Sequence, residues 1–176
     1  MSDRKVSTVF FDLGETLINF GKVNVPALLR ESAGLCHSYL REKGQMGEST
    51  GGYFRRSLAV LYWQLLKSML TGRDFDSLKV LQRSGEKRGI QLSDEQWCEV
   101  NNLWYEPLRR RSQIEPGALE SLSKLRDMGL KLGILSNTMV NACSLEKQLA
   151  EEGLLDFFPV RLYSYQFNFR KPDRRI

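Results

Sequence analysis

The chain has 176 residues, 41% hydrophobic and 27% charged, a composition that excludes long disorder and leaves room for a substantial core. Its formal charge of +5 is scattered, densest at Arg109-Arg110-Arg111 and at Arg170-Lys171 with Arg174-Arg175, so no basic stripe interleaved with aromatics marks a nucleic-acid partner, and attraction of anionic substrates is the simpler use of the charge. No apolar run is long enough to span a membrane, Asp12 interrupts the early apolar stretch, and Cys36, Cys98 and Cys143 suit reduced thiols, so a cytoplasmic protein without a leader is expected.

In chain order, Val6 to Phe11 reads as an apolar strand that ends on Asp12 and runs into a glycine-containing turn, Leu13-Gly14-Glu15. Open α/β sheets place ligands at the carboxyl ends of their strands, and consecutive turn N–H groups make an anion-binding nest. Val25 to Arg41 reads as a helix with Pro26 at a tolerated early position, and Gly44 to Gly52 as a loop. Leu58, Leu61, Tyr62, Leu65, Leu66 and Met69 recur at helical spacing, which predicts a buried face, and Gly72 is the stop. Phe75, Leu78 and Leu81 predict a further helix ending by Gly89. Ser93 with Gln96 resembles a capping box for a helix carrying Trp97, Val100, Trp104 and Tyr105. Trp63, Trp97, Trp104 and Tyr105 are expected in the core of this helical region, and His37 is given no catalytic role.

Past Pro116-Gly117 the pattern changes. Leu119, Leu122, Leu125 and Met128 predict a helix closed by Gly129, and Lys131 to Leu135 a short buried strand ending on Ser136-Asn137-Thr138. A helix from about Ala142 to Glu152 and a third strand at Val160 to Tyr163 follow. Strands alternating with helices predict an α/β fold, a Rossmann-like parallel sheet with right-handed crossovers. The helical stretch 20–112 is too long for a connection and reads as an inserted α-helical domain, which leaves 1–19 and 113–176 as the α/β core.

Three polar residues then fall at strand ends, Asp12, Ser136 and Lys171, and in a parallel sheet they can converge on one edge. Asp12 can attack phosphorus, Ser136 can hydrogen-bond a phosphate oxygen, and Lys171 can neutralise charge on both. Mg²⁺ could bridge Asp12 and the phosphate while keeping several waters. Ser136 could also cap the following helix, and Glu15 is expected to be solvated or to interact with a helix dipole.

On these residues the chain resembles the haloacid dehalogenase-like (HAD) hydrolase superfamily of the type with a helical cap inserted after the first strand. Phe10-Phe11-Asp12-Leu13-Gly14-Glu15-Thr16-Leu17 is similar to the first family motif, Ile134-Leu135-Ser136-Asn137-Thr138 to the second, and Arg170-Lys171-Pro172-Asp173 to the third. The resemblance implies a phosphatase acting on a small phosphorylated metabolite through an aspartyl-phosphate on Asp12. Lys171 would assist catalysis, and Leu13, Gly14, Ser136, Asn137 and Lys171 would contact the phosphate. Mg²⁺ would be held by the Asp12 carboxylate and the Gly14 carbonyl.

Two departures shape the expectation. The family's phosphatases carry an acid–base Asp at the position of Gly14, and its loss should cost turnover about 10²–10⁴-fold. The fourth, acidic motif is not found before Ile176, so the sheet is expected to be incomplete at the C-terminal side and the form a truncated one. Self-association through the open edge of the first strand is expected, as are weak metal affinity and low activity. Two alternatives stay open. One is attack of Asp12 on carbon, as in haloacid dehalogenases, which also lack that Asp. The other is a catalytically impaired HAD-like binding or regulatory protein.

Overall fold

The computed structural model describes residues 6–167 and 169–175; the expected terminus at Ile176 lies outside them. In chain order the elements are strand β1 (Thr8–Phe11), the short strand β2 (Ile18–Asn19) and helices α1 (Val25–Glu42), α2 (Thr50–Thr71), α3 (Ser77–Glu86) and α4 (Asp94–Arg109). Then come the short strand β3 (Gln113–Ile114), helix α5 (Ala118–Asp127), strand β4 (Lys131–Ser136), helix α6 (Ala142–Glu151) and strand β5 (Val160–Tyr163). No helix is long and apolar enough to cross a membrane, among the described residues.

The protein is α/β. β1, β4 and β5 form a parallel sheet in the order β1-β4-β5. Phe11 pairs with Ile134 and Ser136 with Tyr163, so the next residue after β1, Asp12, comes out at the same end of the sheet as Ser136. Phe10 lies across β4 at Gly133, where a Cβ would stand 2.5 Å from the Phe10 ring; only glycine permits that approach. α5 and α6 bury one face, with Leu122, Leu132, Ile134, Leu145, Leu149 and Phe158 in a single cluster. Phe10 and Val160 on the other face are exposed.

The chain leaves the core through β2 and returns through β3, and these two strands pair antiparallel, Ile18 with Ile114 and Asn19 with Gln113. Between them lie α1–α4, called the cap below. Each cap helix has a side-chain N-cap: Asn24, Ser49, Asp76 and Ser93, the last in a full capping box with Gln96. The cap has its own core, built from Cys36, Leu40, Tyr53, Ile90, Trp97 and Val100. His37 is buried and structural: its ring nitrogens lie 2.8 Å from the Glu48 carbonyl and 3.2 Å from the Thr50 hydroxyl, tying α1 to the start of α2.

α2 departs from the expectation of a buried stripe. Tyr62, Trp63, Leu66, Met69 and Leu70 face outward, Met69 at 77% exposure. The reason is one-sided packing: α2 leans on α1, and helical periodicity marks an apolar stripe without saying whether anything covers all of it. Likewise Leu119 and Met128 at the two ends of the α5 stripe are exposed, while Leu122 between them is buried.

Cap and core are joined by polar side chains, buried at the centre of the seam and partly exposed at its ends. Asn101 on α4, fully buried, accepts from the Ser77 hydroxyl (2.6 Å) and donates to the Ser144 hydroxyl on α6 (2.6 Å). One turn on, the Tyr105 hydroxyl donates to Gln148 (2.6 Å), and one turn further Arg109 pairs with Glu151 (2.8 Å). On the other flank Asp74 accepts from Arg170 (3.1 Å) and Ser164, and the Ser77 N–H donates to the Met139 carbonyl (2.9 Å). Asn101→Leu leaves the Ser77 O–H without an acceptor and takes one donor from Ser144, whose hydroxyl keeps its bond to Asn102 (2.8 Å), and the expected loss of stability is about 2 kcal/mol. Urea unfolding followed by circular dichroism checks it.

Candidate active site

The strand that carries Asp12 is short and half-buried, and Asp12 follows it directly, where the backbone turns out of the sheet. Lys171 reaches the same point from the segment after β5. Its ammonium lies 2.7 Å from Asp12 Oδ2 and donates to the Leu135 carbonyl at 2.7 Å. The Leu13 N–H donates to Asp12 Oδ1 at 2.8 Å, and the buried Ser136 hydroxyl is close enough to favour the charged form of the carboxylate. Asp12, Ser136 and Lys171, separated by up to 159 residues in the chain, thus share one end of the sheet.

Burial alone would raise the Asp12 pKa, but the contacts from Lys171, the Leu13 N–H and Ser136 together outweigh it and hold the carboxyl below its ordinary value. Asp12 is therefore ionised at neutral pH. Because the folded-state value is the depressed one, the stability contributed by these contacts is present in full above the ordinary carboxylate range. It is lost as pH falls through the depressed value. Lys171→Met removes the strongest of the lowering contacts, and the expected result is an acid-unfolding midpoint shifted to higher pH, read by circular dichroism.

The other anticipated residues are arranged less simply. Asn137 spends both ends of its amide on Lys171: it donates to the Lys171 carbonyl at 3.0 Å and accepts from the Lys171 N–H at 2.9 Å. Its side chain positions the lysine. Of the turn amides, the Leu13 N–H is on Asp12 and the Glu15 N–H donates to the Ile18 carbonyl (2.8 Å), so the nest is partly spent within the loop. Gly14, between them, has neither N–H nor carbonyl in a described hydrogen bond. Glu15, in the left-handed region, turns its carboxylate back to accept from the Phe20 N–H at 3.1 Å. It is solvent-exposed as expected and also clasps its own loop. Nor does Ser136 cap a helix: it is the last residue of β4, and Asn141 caps α6.

The residues present suit a lean Mg²⁺ site. Asp12 offers a carboxylate and Gly14 a carbonyl without a protein donor, enough for an ion that keeps waters and shares substrate oxygens. Among the described residues no cluster of three or more His, Cys, Asp or Glu could hold a metal, and Asp173, the nearest carboxylate in sequence to Lys171, is held by Arg175 at 2.6 Å.

Next to this point a cavity of about 460 Å³ opens between cap and core. Its floor includes Leu13, Gly14, Ser136 and Asn137, and its walls include Phe20, Leu61, Leu65 and Trp104. Trp97 lies in the cap core as expected; Trp104 packs on that core and also lines this cavity, Tyr105 is buried in the cluster under the sheet and lines it too, and Trp63 is on the outer surface. The Arg109-Arg110-Arg111 cluster is neutralised by Glu106, Glu151 and Glu31. Sequence reasoning missed Phe20, which carries no motif signal, and the clamp by Asn137, whose partner is backbone.

A family model described as haloacid dehalogenase-like hydrolase matches residues 6–176. Among solved structures, the chain is similar to a HAD phosphatase from Thermococcus onnurineus, with 23% identity and a TM-score of 0.48 over 97% of this chain and 67% of that one. It is similar to L-2-haloacid dehalogenase from Xanthobacter autotrophicus, with 19% identity and a TM-score of 0.46 over 96% of this chain and 60% of that one. It is also similar to a magnesium-bound HAD-hydrolase from Bacillus subtilis, with 18% identity and a TM-score of 0.44 over 97% and 68%. No curated protein matches the chain. The family model's match takes in Asp12, Ser136 and Lys171 together, and the chain belongs to the haloacid dehalogenase-like hydrolases.

Proposed function

We propose that the protein hydrolyses a small phosphomonoester through a covalent intermediate on Asp12, with residues 20–112 acting as the cap over the site. The observation that carries this reading is the 2.7 Å pair of Asp12 and Lys171 at the sheet end, beside Ser136 and next to the cavity between cap and core. An ionised carboxylate fixed by Lys171 and the Leu13 N–H is ready to attack without prior proton transfer. Lys171 neutralises part of the charge that builds on the phosphoryl oxygens, and Ser136 donates to one of them.

Asp12 and the Gly14 carbonyl would hold Mg²⁺, which when bound supplies further neutralisation of the phosphoryl charge. The departing alkoxide must take its proton from water, because Gly14 offers none. The test is a screen of small phosphomonoesters with and without Mg²⁺. Release of inorganic phosphate that is abolished by excess chelator supports the reading, and no release from any ester overturns it.

One observation favours a second reading. A site with one carboxylate and an apolar cavity also suits displacement at carbon, in which Asp12 forms an alkyl ester that water then opens. Halide release from 2-haloacids that persists in excess chelator would establish that chemistry instead.

A further inference from the structure

We infer that the part of the substrate beyond the phosphate is an uncharged apolar group, so that the preferred ester is an alkyl or aryl phosphate rather than a sugar, amino or carboxylate phosphate. The inference rests on the phosphomonoesterase reading for the anionic end and on the cavity for the rest. Among the described residues lining that cavity, none carries a charge. Phe20, Leu29, Leu61, Leu65, Trp104 and Leu108 supply its walls, with contributions from the segment after β2 and from α1, α2 and α4.

The few polar side chains in it are already engaged. The Ser32 hydroxyl donates to the Trp104 carbonyl (2.7 Å), the Tyr105 hydroxyl donates to Gln148 (2.6 Å), and the Thr138 hydroxyl accepts from the Val140 N–H (3.0 Å). Beyond the Gly14 end of the floor, a sugar hydroxyl or an ammonium group entering this space would lose its water and meet little besides the Thr138 hydroxyl and the spare lone pairs of Ser32 and Tyr105. A methylene would gain, by about fourfold in affinity for each one buried.

The floor is where the phosphate belongs. Leu13, Gly14, Ser136 and Asn137 line the cavity and also adjoin Asp12, so an ester whose phosphorus sits at Asp12 sends its leaving group between the cap helices. The volume, about 460 Å³, equals about fifteen water volumes at liquid density, so an alkyl chain of eight carbons, each about one water in size, fits within it.

The test uses the full chain with Mg²⁺ and a series of n-alkylphosphonates from methyl to octyl, whose carbon–phosphorus bond is not hydrolysed. Calorimetry reads the affinity. The expected result is a rise of about threefold to fourfold per methylene until the cavity is full. An octyl compound binding within threefold of the methyl compound overturns the inference.

Two variants locate the binding. Leu65→Asp is expected to flatten the series, and Leu61→Trp to stop the rise at a shorter chain; an unchanged series in the folded form of either overturns the assignment to this cavity. Hydrolysis of the matching alkyl phosphates is read separately. A rising phosphonate series without turnover of any ester upholds the apolar pocket and overturns the phosphatase reading alone.

Discussion

Asp12→Asn lowers the turnover of the best phosphomonoester by roughly 10⁴-fold or more, the scale on which enzymes lose rate when a covalent nucleophile is removed. The substitution keeps the shape of the side chain but not its chemistry. A carboxylate accepts from Lys171 and from the Leu13 N–H at once, whereas an amide has one accepting end and must turn its NH₂ toward one of those donors. The variant is therefore slightly strained as well as inert, and an unfolding midpoint measured beside the kinetics separates the two effects. Wild-type turnover in Asp12→Asn would remove Asp12 from the mechanism.

The opposite change is expected at Gly14. Gly14→Asp raises phosphatase turnover by about 10²-fold, the lower end of what a positioned general acid contributes. The backbone allows it, since Gly14 is not among the residues with positive φ. A Cβ there meets only the edge of the Phe20 ring, at 3.3 Å, tight enough that Phe20 must give by a few tenths of an ångström. Phe20→Leu added to Gly14→Asp relieves that contact, and the pair should equal or exceed the single variant. Steady-state kinetics on one ester, with pH–rate profiles for both forms, measures the gain and should show a new basic limb as the introduced carboxyl loses its proton. No gain in either folded variant would show that proton donation is not what limits this site, and would favour a binding or regulatory role.

Much of this was legible in the sequence because the signals were local. Asp12 follows an apolar run of strand length, Lys131 to Ser136 stands between two glycine-terminated helices, and Ser93 with Gln96 is a four-residue signature that the structure forms. The parallel order β1-β4-β5 follows from alternating strands and helices. What stayed illegible depends on partners far away in the chain. The outward face of α2 is as periodic as a buried one. Asn101, Tyr105 and Arg109 repeat at helical spacing, but only contact with Ser144, Gln148 and Glu151 shows that the repeat joins two layers. Trp104 packs on the cap core with one side and lines the cavity with the other, a division of labour that a hydrophobic pattern does not express.

The polar seam between α4 and α6 bears on kinetics. Separating the two helices would strip partners from Asn101, Tyr105 and Gln148 in a dry interface, so the α4 side of the cavity is fixed before any substrate arrives. The conformational entropy of building that wall is spent during folding, not at binding. A group that fits is therefore held without further ordering of α4, and related substrates should be sorted by how slowly they leave rather than by how fast they arrive.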